Sequence, residues 1–527
     1  MKVRWIVLSV VLMCLPEPAR AQSIDYAFLE TRAEATGFQE TSRHEEVVAF
    51  VDVLARTSEQ IRQTVFGYTS EGRALPLVVF GDVDDAGSEA VRASGKLRVF
   101  VQANIHAGEV CGKEAMLMLL RALAAGQHAA WADSLVLLVA PIYNADGNER
   151  ISLTNRPGQN GPLGGMGQRP NAQGLDLNRD HMKLDSPEAR SLVRLFNRYD
   201  PHVIVDLHTT NGTRHAYHLT YSPPLNPNTP AAIDGFLRGR WLPAVTERIK
   251  EAHGWDYYYY GNLPWRGSNA ERGWYTFDHR PRFNNNYAGL RNRFGILSEA
   301  YAYAPFEERV LATLYFVEEI VDFAYQNASR IQALTQQADA ESIAGQVLAV
   351  RAEHARSAEP VEILMGDVEE IKHPYSGAML RNRLDVRQPE RMHEYGRFAP
   401  AETMTAPRAY LVPPDLETTM DRLDAHGIRY HTLQNDSTLQ VERFRIDSVQ
   451  VAGREYQGHR AQTLFGVYET VDATLPAGML VVPAGQPLGN LAFYLLEPRS
   501  DDGLAAWGLI EASDAAPYPI MRIPPEP

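Results

Sequence analysis

Four short segments put side chains suited to metal and acid–base chemistry beside predicted element boundaries. Asn104-Ile-His106-Ala-Gly-Glu109 lies between an apolar run, Leu97 to Ala103, and a helix predicted over Lys113 to Ala125. A His and a Glu three residues apart on a strand-to-helix turn can face one ion, and zinc takes both donor types at about 2.0–2.2 Å. Val110 follows Glu109, so this is neither H-E-x-x-H nor H-x-x-E-H, and alone the pair also fits a solvated helix start. Gly174-Leu-Asp176-Leu-Asn178-Arg179 offers a carboxylate clamp, because guanidinium grips carboxylates bidentately. The plainer alternative is a turn Asn beside a surface Arg. Val203-Ile-Val-Asp206-Leu-His208 sets a His at the carboxyl end of an apolar strand, where open α/β sheets bind ligands; His215 and His218 compete with it. Gly295-Ile-Leu-Ser-Glu299 ends a buried-type strand in a carboxylate, which is costly without a partner or a task.

The elements that must position these groups follow from apolar spacing. Val47, Val48, Val51, Leu54, Ile61 and Val65 predict a helix over 44–66, with a turn from Phe66 to Arg73. Strands are expected at Leu75–Phe80, Leu97–Ala103, Leu135–Pro141, Val203–Leu207 and Gly295–Leu297. Helices are expected at Ser186–Tyr199, with Ser186 as cap before Pro187, and at Phe306–Phe323. A Gly/Pro/Asn-rich stretch from Asn144 to Gly174 is long enough to be functional. Apolar strands alternating with helices indicate an α/β fold, a mixed, mostly parallel sheet with helices on both faces. Residues 328–356 read as one polar helix, and from about 360 short β-type runs dominate, among them Tyr410–Val412, Gly478–Val482 and Leu491–Leu496, with a helix at Leu416–Ala425. The expected organisation is residues 22–330 as a catalytic domain, 331–359 as a helical linker and 360–527 as a mostly-β accessory domain.

Composition narrows the class. Hydrophobic residues at 45% and charged residues at 22% suit a folded globular chain of 527 residues, long enough for a full core. A net charge of −14 argues against nucleic acid as partner. Lys2 and Arg4, the apolar run Trp5–Leu15 and Ala19-Arg20-Ala21 form the pattern of a cleavable leader ending at Ala21. The expected location is therefore periplasmic or secreted, with no integral membrane segment after cleavage. The remaining cysteine, Cys111, cannot form an intramolecular disulfide and reads as a small packed hydrophobe.

Taken in chain order, HxxE, DLNR, DLH and LSE resemble the zinc carboxypeptidase family that includes carboxypeptidase A. The resemblance spans roughly residues 40–325, including Gly67 to Arg73 and Asn144-Ala-Asp146-Gly147, where Ala145 replaces the family's proline. It implies that His106, Glu109 and His208 hold one zinc ion per chain and that Asp176 orients His106. It implies that Asn178 and Arg179 bind the terminal carboxylate of a peptide substrate and that Glu299 is the general base and acid. The expected activity is removal of C-terminal residues from peptides. The family's oxyanion-stabilising Arg falls at Gln159, so Arg156, Arg169 or Arg293 are candidate replacements. Tyr275 and Tyr287 are candidates for the family's closing tyrosine. The tyrosine run 257–260 fits a packing edge or a cleft wall. Other readings are an amidase or deacylase acting on an amide such as a peptidoglycan stem peptide, and a non-catalytic binding protein of the same fold.

Overall fold

A computed structural model describes residues 26–210 and 212–525. The leader expected over 1–21 lies outside the described residues. Strands β1 (Ile61–Tyr68), β2 (Ala74–Phe80), β3 (Leu97–Ala103), β4 (Leu135–Ala140), β5 (Val203–Thr210), β6 (Leu219–Ser222), β7 (Tyr257–Tyr259) and β8 (Phe294–Tyr301) form one sheet. Its spatial order is β1-β2-β4-β3-β5-β8-β6-β7. The pairs β3–β4, β3–β5, β5–β8 and β6–β7 are parallel, and β1–β2, β2–β4 and β6–β8 are antiparallel. The sheet is mixed, with parallel pairing through its centre. Strands β3, β4 and β5 are buried at every residue, which requires cover on both faces.

The strand period of two shows where that cover comes from. Phe100 of β3 meets Phe196 on helix Pro187–Tyr199, ring centroids 5.5 Å apart. Ala103, of opposite parity, faces helix Cys111–Ala124 on the other side, at Gly112. That second layer also contains helices His44–Thr57 and Phe306–Gln326. Helix Pro187–Tyr199 starts as its sequence dictates: Ser186 Oγ accepts the Ala189 N–H at 3.1 Å, and Pro187 occupies the first turn.

Past residue 340 the chain is β-rich, with a six-stranded sheet built mainly on the long hairpin Ser437–Val451 and Gln462–Leu475. The short strand Gly273–Tyr275 pairs in parallel with Gln388–Tyr395. A continuous apolar cluster runs from the eight-stranded sheet to Leu423, Phe444 and Leu491–Leu496. No helix among the described residues is long and apolar enough to cross a membrane.

Three local expectations are corrected. The helix expected over 44–66 stops at Thr57, and Ile61–Tyr68 is strand β1. Ile61 and Val65 match helical spacing by coincidence: Ile61 is buried, while Val65 is 44% exposed on an edge strand. The single helix expected over 328–356 is a helix, Ala328–Ala340, followed by strand Val347–Ala355, with Gly345 at φ +80° between them. Leu491–Leu496 lies in a helix, Gly489–Leu496, buried at every residue, so its apolar run carries no period from which to tell helix from strand.

Gly112 fixes how closely the helix behind Glu109 approaches β5. A Cβ there would sit 2.7 Å from Leu207 Cβ and 3.3 Å from Ala103 Cβ. Gly112→Val should therefore push this helix off the strand that carries His208. Overpacking of this kind costs roughly 1–3 kcal/mol. The expected result is a lower urea midpoint; an unchanged midpoint would show that the contact is not tight.

Candidate metal and catalytic site

The chain leaves β3 through Asn104, whose φ of +68° turns the backbone sharply, a conformation Asn adopts more readily than most residues. This turn brings His106 and Glu109 to the carboxyl end of the sheet, where β5 delivers His208. All three side chains are buried. One ligand atom from each lies within 4.8 Å of the others. Glu109 Oε1 is 3.0 Å from His106 Nδ1, and its Oε2 is 2.8 Å from His208 Nδ1. The Thr209 N–H donates to Oε2 at 3.0 Å.

Each imidazole turns Nδ1 inward and gives its far nitrogen to a carboxylate. His106 Nε2 is 3.0 Å from Asp176 Oδ1, and His208 Nε2 is 2.9 Å from Asp206 Oδ2. Asp206 is itself held by Gln102, whose amide donates to Oδ1 at 3.0 Å. Two oriented imidazoles and a carboxylate, each backed by an outer partner, make a donor set that fits zinc. Burial opposes the His208 cation, but Asp206 and Glu109 hold its pKa well above the ordinary histidine range. Burial likewise opposes the Glu109 anion, yet Arg156, His106 and His208 keep its carboxyl well below the usual range. Asp176 is depressed too: His106 and Arg169 overcome its desolvation.

The long loop packs over this cluster. A Cβ on Gly108 would sit 2.7 Å from Gly167 O and 2.9 Å from Arg156 Cγ. This close approach seats Arg156 against Glu109 Oε1. Arg169 pairs with Asp176 at 2.9 Å. Gln159 turns into the loop, its amide near Gly108 O and Met166 Sδ. Arg293 lies away from the pocket, paired with Asp200 and Asp339, which removes it as a candidate oxyanion partner.

A pocket of about 320 Å³ joins these groups to the other two motifs, lined by His106, Glu109 and His208, by Arg156, Arg169, Asn178 and Arg179, and by Glu299. Glu299 stands directly opposite His208 in the β5–β8 register, so both side chains leave the same face. Among the described residues its carboxylate has no hydrogen-bond or ion-pair partner. Burial pushes the Glu299 carboxyl up to about 8; His208 pulls it back and Glu109 adds to the rise. Asn178 and Arg179 sit on the turn Leu177–Arg179, shaped by Asp176 Oδ1 accepting the Asn178 N–H at 2.9 Å. The Asn178 side-chain oxygen Oδ1 accepts the Asn284 N–H at 2.9 Å, which leaves the amide NH₂, 3.3 Å from His208 Nε2, as its donor end. Arg179 has no carboxylate partner among the described residues.

Other residues sort by position. His215 and His218 are not part of the cluster: His215 lies over Tyr301 and His218 is stacked on Trp255. Burial lowers both pKa values to about 3. Tyr287 is buried with its hydroxyl against His426, and Tyr275 is stacked on Tyr395, so neither lines the pocket. Tyr260, Phe277 and Phe283 do line it. Tyr260 ends the tyrosine run already visible in the sequence, while Tyr257 packs inward and donates to Ala312 O. Phe277 and Phe283 carried no signal, because no motif surrounds them. Cys111 is buried behind the site with Sγ 3.1 Å from Thr209 Oγ1.

Comparison with known proteins places this geometry. Residues 47–278 match the family model described as zinc carboxypeptidase. The chain is similar to carboxypeptidase 2 of Trichophyton tonsurans, 27% identical over 517 residues, covering 93% of this chain and 88% of that protein. It is also similar to carboxypeptidase 2 of Trichophyton rubrum, 26% identical over 518 residues, covering 94% and 88%. Among solved structures it is similar to carboxypeptidase A from Helicoverpa armigera, at 16% identity and a TM-score of 0.40, over 56% of this chain and 75% of that one. The region that carries His106, Glu109 and His208 is thus similar to zinc carboxypeptidases, and the two proteins that resemble the chain along most of its length are carboxypeptidases.

Proposed function

We propose that the protein is an exported enzyme that removes C-terminal residues from peptides, with one zinc ion held by His106, Glu109 and His208. One observation carries this reading. Among the described residues Arg179 has no carboxylate partner and Glu299 no hydrogen-bond or ion-pair partner, and both line the same pocket as the two imidazoles and Glu109. Zinc bound there would acidify water and polarise the scissile carbonyl. Asn178 and Arg179 bind the free α-carboxylate and set which amide faces Glu299. Glu299 takes the proton of the attacking water and returns it to the departing amine nitrogen. Arg156, seated against Glu109 on the same pocket wall, is the candidate to turn a free N–H toward the oxygen that gains charge. Residues 22–330 supply this machinery, and residues 360–527 are an accessory unit joined through 331–359. The leader pattern at residues 1–21 supports export.

Purified protein should carry about one zinc per chain by elemental analysis, and His208→Ala should lose metal and activity together. Asp206→Asn should weaken zinc affinity by about 10–100-fold with the three ligands intact, as loss of an outer partner does. Full occupancy in His208→Ala would remove it from the ligand set.

Glu299→Gln should retain zinc while kcat falls by at least about 10²–10⁴-fold, the usual cost of lost acid–base catalysis. Near-normal turnover would remove Glu299 from the reaction.

Amidating the substrate C-terminus should abolish cleavage. Arg179→Ala should cost about 2–5 kcal/mol on free-acid peptides and little more on amidated ones. That non-additivity marks direct contact. Equal cleavage of both peptides, with Arg179→Ala harming both alike, would replace this reading with an amidase or endopeptidase.

A further inference from the structure

We infer that Tyr456, carried by the accessory β-rich region, is a positioning residue that aims Arg179 at the substrate carboxylate. The inference rests on the carboxylate-binding reading above. Tyr456 sits at the tip, residues 452–461, of the hairpin formed by Ser437–Val451 and Gln462–Leu475. The tip is closed by two backbone hydrogen bonds between Tyr456 and His459. It reaches more than 270 residues back along the chain to the DLNR turn. Arg179 Nε donates to Tyr456 Oη at 3.0 Å. The Asp176 N–H donates to Gln457 Oε1 at 2.8 Å. Both contacts fall on the segment that holds His106 through Asp176 and the candidate clamp through Arg179.

The donor inventory of Arg179 gives this contact a consequence. A guanidinium has five N–H donors, in a planar fork. Arg179 spends Nε on Tyr456 and one Nη1 hydrogen on Asn178 O at 2.7 Å. Its plane is fixed by the Phe283 ring, 4.0 Å from Cζ to centroid. The remaining donors are one on Nη1 and two on Nη2. They form the end-on edge, the geometry that takes a carboxylate with two parallel bonds. Without Tyr456, the Nε edge is equally open and the side chain can rotate between two modes of binding. Tyr456 thus selects one edge of the clamp.

The tip is itself anchored. The Tyr456 and Trp507 rings are stacked, 6.3 Å apart and 16° from parallel. Arg282 lies 4.4 Å over Trp507 and is tied to the buried Asp502. Tyr456→Phe keeps this ring packing and deletes only the hydroxyl, so the tip stays seated.

The test compares Tyr456→Phe and Arg179→Ala with the full-length zinc enzyme, on a matched pair of free-acid and C-terminally amidated peptides. Thermal unfolding and zinc content report whether the fold is kept. Tyr456→Phe should raise KM for the free-acid peptide about 3- to 10-fold, the size expected for one hydrogen bond. It should leave kcat, and the response to the amidated peptide, unchanged. Tyr456→Ala should raise the same KM at least as far. An unchanged KM in both Tyr456 variants overturns the inference, and the carboxylate reading stands if Arg179→Ala still abolishes discrimination. A fall in kcat, or equal harm on both peptides, assigns Tyr456 a merely structural role and also overturns it. Loss of discrimination in the unaltered enzyme overturns the carboxylate reading and the Tyr456 inference together.

Discussion

A carboxylate withdrawn from water is the constraint around which this site is built. Glu109 is 3% exposed, and an isolated buried anion would protonate rather than persist. It stays ionised because His106 and His208 approach its two oxygens while Arg156 adds a guanidinium. Each partner then needs support of its own. His106 takes Asp176, which takes Arg169; His208 takes Asp206, which takes Gln102. The buried network therefore extends from β3 and β5 into the long loop and the DLNR turn, and removing a charged member leaves its partner short of a counter-charge.

The fold serves this network by geometry. Parallel strands β3, β5 and β8 all end at one edge, so residues far apart in sequence emerge side by side without long excursions. His208 and Glu299 are neighbours because their strands are in register, and the strand period sends both to one face. Helix Cys111–Ala124 can follow Glu109 so closely only because Gly112 lets it lie on Leu207. The antiparallel outer strands β1, β2 and β6 extend the sheet and contribute no residue of the HxxE, DLNR, DLH and LSE motifs.

Much of this was legible before any coordinates. The four motifs carried His106, Glu109, Asp176, Asn178, Arg179, His208 and Glu299, because each lies at a strand end or turn whose pattern is local. The central strands were legible for the same reason, as unbroken apolar runs. What escaped depends on contacts across the chain. Val65 had helical spacing and an edge-strand environment; Leu491–Leu496 had no period at all. Arg156 and Gln159 are three residues apart on one loop, and nothing local says which faces Glu109. That choice follows from the close approach of Gly108 to Gly167 and Arg156. Phe277 and Phe283 line the pocket, and Tyr456 reaches Arg179, only through tertiary packing, the last of them from beyond residue 450.

The three arginines around the pocket do different work because their partners differ. Arg156 is committed to Glu109 and Arg169 to Asp176, so both guanidiniums chiefly balance charge already in the protein. Arg179 is held by neutral groups: a hydroxyl, a carbonyl and an aromatic face. Neutral partners fix its direction without cancelling its charge. A guanidinium that is oriented but not neutralised, in a pocket walled by Phe277 and Phe283, attracts an anion more strongly than one already paired, since low-polarity walls weaken screening. On the proposed reading, that difference, rather than the number of basic residues, makes Arg179 the position where an incoming carboxylate would gain most. It also explains why a hydroxyl from the β-rich region suits this contact better than an acidic group would: a carboxylate at Tyr456 would hold Arg179 just as firmly and remove its attraction for substrate.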